Sequence, residues 1–151
     1  MRTSQYILLA FTVMGGILWI FLVQSYLFTY PLAEYLSQRS SNLPFGLLWV
    51  SCLIAVMGWL FFTINSKTRN ADEVMQMRSR WWLAAMILVG LGWSYQWLFS
   101  RVDPIPLPGW FILLIFVPVD VLLLFWLPTL LASPGSYRYV VPGAVKLLRG
   151  R

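Results

Sequence analysis

Residues 110–128 read WFILLIFVPVDVLLLFWLP. As a helix this run is long enough to cross the hydrocarbon core of a bilayer, which takes about 20 apolar residues. It nevertheless carries one carboxyl group, Asp120, midway along, with Pro118 and Pro128 on either side. No other acidic or basic side chain falls inside an apolar run of the chain. In water such a helix would need a core to hide in; in lipid it needs only neighbours, and a partner for its acid.

Composition decides for lipid. Across 151 residues the chain is 60% hydrophobic, 17% aromatic and 11% charged, with a mean hydropathy of +0.73. A soluble domain of this length could not cover so much apolar surface. The net charge of +6 comes from eleven Lys and Arg against five Asp and Glu. These basic residues sit between or beyond the apolar runs, so their expected partner is the anionic lipid surface and not nucleic acid.

Besides 110–131, three further runs are long enough to span: 6–28, 45–65 and 81–100. The predicted fold is an all-α integral membrane protein of four transmembrane helices, one domain over residues 1–151, with short interfacial helices and a basic tail at 132–151. Runs of this length without alternation do not make the strands of a β-barrel. A signal peptide would also begin with a basic residue and an apolar stretch. The first run is too long for its core, and Val23-Gln24-Ser25 offers no small-x-small cleavage site, so an uncleaved helix is expected.

The connections have their own signatures. Pro31 with Leu32, Tyr35 and Leu36 at helical spacing predicts a short helix on the membrane surface, and Ser40, Ser41, Asn42 and Pro44 predict a turn before the second span. Asn70 with Glu73 three residues on reads as an N-cap with its reciprocal acid, and Asp72 and Glu73 suit a first helical turn. A helix starting near Ala71 and running into the third span would extend to about 45 Å, part of it in water. Pro104, Pro106 and Pro108 predict a stiff extended link between Arg101 and Gly109. Ser133, Pro134 and Gly135 end the fourth span, and the tail is expected on the headgroups or in solvent.

Orientation follows from charge. With four spans the N-terminus, the loop 66–80 and the tail share one side, which then holds Arg2, Lys67, Arg69, Arg78, Arg80, Arg138, Lys146, Arg149 and Arg151. Only Arg39 and Arg101 lie on the other. A split of nine to two in short loops predicts both termini in the cytoplasm and, in a bacterium, residence in the inner membrane. Arg78, Arg80, Arg138, Lys146, Arg149 and Arg151 are the expected lipid-headgroup contacts.

The small residues mark where helices approach. Gly15 and Gly16, Ala55 and Gly58, and Gly90 and Gly92 are the expected packing positions, and with Cys52 most of them fall near the depth of Asp120. Ser51, Ala55, Gly58, Phe62 and Asn65 form one stripe on the second span; Ala85, Val89, Gly92 and Gln96 form another on the third. Burying an ionised carboxylate at mid-bilayer costs at least about 2.5 kcal/mol. Three readings of Asp120 follow. It is a neutral acid bonded to the Phe116 carbonyl, Ser51 or Thr12; or it meets a group on another subunit; or it handles a proton or cation, with Pro118 and Pro128 as hinges. Ser51 and Gln96 are the other intramembrane polar candidates.

Catalysis finds little to work with. There is no histidine, and the single cysteine, Cys52, lies inside an apolar run, so no metal or cofactor site is expected. Four-helix membrane enzymes acting on glutathione and lipids have about this length, but their charged, Asn-containing motif is missing. Quinone-linked thiol oxidases need cysteine pairs. Trp81, Trp82, Trp97 and Trp110 fall at span ends, where indoles form an interfacial belt; Trp19, Trp49, Trp59, Trp93 and Trp126 lie deeper and have no such explanation. The expected role is a non-catalytic accessory or scaffold subunit of a larger membrane complex, in contact with lipid and with other subunits or itself. The alternative is a small oligomeric transporter or channel using Asp120.

Overall fold

The structure, a computed structural model, describes residues 10, 13–18, 21–22, 38–65, 70–101, 107–133, 137 and 139–144. Among these residues every regular element is helical. Helix α1 is Gln38–Asn65, α2 is Ala71–Ser100, and α3 is Leu107–Val121; α3 runs through a π-helical turn, Leu122–Trp126, into α4, Leu127–Ala132. Among the described residues three stretches are long and apolar enough to cross a membrane: Phe45–Thr63, Ala71–Ser100 and Gly109–Ala132. Of the first expected span, 6–28, only residues 10, 13–18 and 21–22 are described, and they are helical. The rest of that span, the surface helix expected at Leu32 to Leu36, and Arg138, Lys146, Arg149 and Arg151 lie outside the described residues.

The helices pack through rows of apolar side chains at helical spacing. On α1 the buried row is Leu48, Cys52, Val56 and Leu60, each four residues on. On α2 it includes Trp81, Leu88, Gly92 and Gln96. On α3 and its continuation it is Leu113, Val117, Val121, Leu124 and Phe125. Residues four apart share a face, so each row presents one seam to the other two. The outer faces carry Phe61, Met86, Phe111 and Ile115, all well exposed. That arrangement suits hydrocarbon as surroundings, since lipid tails satisfy apolar side chains as well as a core does.

Several local expectations are overturned. The turn at Ser40, Ser41, Asn42 and Pro44 is absent, because α1 already begins at Gln38. Extending a formed helix adds a hydrogen bond for each residue fixed, and Pro44 removes only one of them. The extended link stops short of Gly109, because α3 starts at Leu107 with Pro108 in its first turn. There the missing N–H has no helical acceptor to lose. Helix α2 does run unbroken from Ala71, with Asp72 and Glu73 in its first turn. Asn70, however, stands at the N-cap with extended backbone (φ −113°, ψ 151°) and makes no side-chain cap bond; only its carbonyl joins the helix, accepting from Val74 N–H at 3.3 Å.

The tail differs most. Tyr137, Val140, Val141 and Ala144 are buried against the helices, and the Trp126 indole N–H donates to the Pro142 carbonyl at 2.9 Å. Residues 139–144 form turns, closed by Gly143 at φ 83°, a backbone conformation that favours glycine. This part of the tail is therefore core and not headgroup-adherent or solvated chain. Four apolar side chains among the basic ones are enough to bring it inward.

Candidate functional site

Asp120 points into the bundle. Its residue is 1% exposed, and its carboxyl is in electrostatic range of the Cys52 thiol on α1. Helical spacing places it on the buried side of α3, three residues after Val117 and four before Leu124. The seam that hides Val117 from lipid therefore hides the acid as well.

One residue before Cys52, Ser51 on α1 shares a 3.2 Å hydrogen bond with the Tyr95 hydroxyl on α2 and donates to the Leu47 carbonyl one turn back at 3.0 Å. Ser51 thus spends its hydroxyl on α1 and α2. Gln96, next to Tyr95, is 2% exposed and lies one turn beyond Gly92. The structure bonds Ser51 to Tyr95, and the next residue of α1, Cys52, lies within electrostatic range of Asp120.

Gly92 is what lets the three helices meet here. A Cβ on it would stand 2.5 Å from Val117 Cγ1 and 3.1 Å from Leu48 Cδ2. Gly16 lies against Leu124 and Trp49, which puts the described part of the first run on the α1/α3 side. The other glycines do not pack in this way: a Cβ at Gly15, Gly58 or Gly90 would meet nothing within 4 Å. The stripe on the second span is likewise divided. Ser51 reaches α2, and the exposed Phe62 lies under the Arg80 guanidinium at 5.8 Å, while Gly58 between them faces open space.

The two prolines do not break the helix. Pro118 sits inside α3, and the π turn ahead of Pro128 shifts the ladder so that Leu127 N–H reaches the Leu122 carbonyl. A proline in a helix leaves the carbonyl four residues back without its donor, and a π turn is one local way to rearrange the bonds around it. Polar side chains around this region were missed in the sequence. Thr129 Oγ1 accepts from the Trp81 indole at 3.0 Å and offers its own proton to the carbonyls of Phe125 and Trp126. Trp59 Nε1 donates to Ser133 Oγ at 3.2 Å.

Tryptophans expected at span ends therefore divide. Trp82 and Trp97 are about half exposed, as interfacial indoles are, and Trp97 lies under the Arg101 guanidinium at 4.1 Å. Trp81 is buried and stacks on Phe125 at 5.4 Å. Its hydrogen-bond partner forty-eight residues away carries no local sequence signal. Arg78 and Arg80, proposed to meet headgroups, are exposed on the first turns of α2. No protein-family model matches the chain, and neither a curated protein nor a solved structure is detectably similar to it.

Proposed function

We propose that the chain is a non-catalytic accessory or scaffold subunit of a larger membrane complex, seated in a bacterial inner membrane with both termini in the cytoplasm. The observation that carries this reading is the start of α2. From Ala71 to Arg80 the helix continues beyond the apolar stretch, and all of these residues except Val74 and Met77 are exposed. Met75 is 74% exposed, flanked by Asp72, Gln76, Arg78 and Ser79. A charged helical arm with an apolar side chain at its outer surface suits a partner subunit better than a catalytic pocket. Gly58 and Gly90, with open space before them, fit close approach by a helix from outside the chain.

A second reading is favoured by one observation: Asp120 is buried between helices and does not face lipid. As an oligomeric carrier the protein would move a proton or cation past that carboxyl, with the Pro118 and π-turn region giving the helix room to bend. Purification in mild detergent, with identification of the proteins that accompany the chain, tests the first reading. Asp120→Asn separates the two. Loss of co-purifying subunits with normal membrane insertion supports the scaffold, and an intact complex with abolished proton-coupled uptake overturns it in favour of the carrier.

A further inference from the structure

Between α2 and α3 runs a groove of about 410 Å³ whose walls are apolar: Trp82, Met86 and Val89 on one side, Pro118, Leu122 and Phe125 on the other. Trp82, Met86 and Leu122 are about half exposed or more, so the groove opens sideways where lipid lies. A second cleft of about 490 Å³ shares Trp82 with it and is lined by Arg78, Ser79 and Tyr139. The folded tail joins the two, lending Tyr139 to the second cleft and Pro142 and Gly143 to the groove. Along α2, then, one continuous surface passes within a turn from guanidinium and hydroxyls to indole and aliphatic side chains.

We propose that this surface is a binding site for an anionic glycerophospholipid, with its phosphate at Arg78 and one acyl chain in the groove below Trp82. The charge complementarity is specific. Guanidinium forms paired hydrogen bonds to phosphate oxygens, and Ser79 and Tyr139 supply hydroxyl donors beside it. No acidic residue lines the cleft among the described residues. A volume of this size is that of a small-ligand pocket, and its apolar walls offer an acyl chain contact while offering a polar ligand nothing. The half-exposed Trp82 marks the boundary between the two chemistries, the depth at which indoles and glycerol backbones both reside. The site rests on the membrane placement of α2 and α3 and not on the scaffold role, so the two can fail separately.

The test is native mass spectrometry of the full chain in mild detergent, titrated with phosphatidylglycerol, phosphatidylcholine or glycerol 3-phosphate. Phosphatidylglycerol is expected to bind in preference, and Arg78→Gln to weaken it about five- to tenfold while leaving phosphatidylcholine unchanged. Val89→Trp, which fills the groove, is expected to abolish retention of both lipids with helicity intact. Equal binding of both lipids, or phosphatidylglycerol binding untouched by Arg78→Gln, overturns the proposal. So does glycerol 3-phosphate binding as tightly as the lipid, which would mark a free-anion site. A protein retained in the groove in place of lipid also overturns it. Arg78 is exposed, so its replacement tests the site even if Val89→Trp fails to fold.

Discussion

Gly92 carries more of the packing than its size suggests. With Val117 Cγ1 only 2.5 Å from where a Cβ would stand, Gly92→Ala must push α3 away or force a stiff branched side chain off its rotamer. Overpacking of this sort costs about 1–3 kcal/mol. The expected outcome is a clear loss of stability for Gly92→Ala in a detergent-unfolding titration, with Gly58→Ala and Gly90→Ala close to neutral. Equal effects at all three would refute the packing role given to Gly92. The sequence pointed to six small positions of like appearance, because glycine reports that something could come close and not whether anything does. Only the third helix shows that Gly92 is occupied and Gly90 is not. Asp120 was legible from its isolation among apolar residues, whereas Cys52 as its neighbour required the register between α1 and α3.

Helix α2 is held to the π turn and α4 by a polar contact as well as by fit. Trp81 reaches Thr129 with its indole N–H and lies flat on Phe125. Interhelical side-chain hydrogen bonds in membranes average about 0.6 kcal/mol, with a maximum near 1.7. A double-mutant cycle with Trp81→Phe and Thr129→Val is expected to return a coupling in the upper half of that range, because both groups are buried. A coupling of zero would mean that the pair merely coincides in space. Long apolar helices were legible from the sequence because twenty greasy residues allow little else. Their ends were not. At Gln38 and Leu107 weak local breakers lost to propagation of a helix already formed, and the π turn left no signal beyond its two prolines.

The described helices form one packed unit with large apolar side chains on its outer faces and, Asp120 apart, its described charged side chains toward the two ends of α2. If the arrangement is that of four spans with both termini inside, Gln76 and Arg101 lie on opposite sides of the membrane. Cys52 is buried, so single cysteines can be read against a quiet background. Gln76→Cys is expected to react with a membrane-impermeant maleimide only after the cells are opened, and Arg101→Cys to react in intact cells. The reverse pattern would invert the topology; labelling of both from outside would remove a span. The all-helical, membrane-like class was readable from composition, since it depends on counts. The inward-folded tail was not, because Tyr137, Val140 and Val141 look like any short apolar scatter until Trp126 and the helix faces are there to receive them.

The uninterrupted run of α2 from its charged first turns into its apolar stretch also makes the protein easy to mark for imaging. A rigid helical fusion spliced in phase at Ala71 would inherit the orientation of the bundle, and adding or removing one residue at the junction would swing the marker by about 100°. A chain of 17.5 kDa could in this way be given a visible handle whose direction reports how its embedded helices stand.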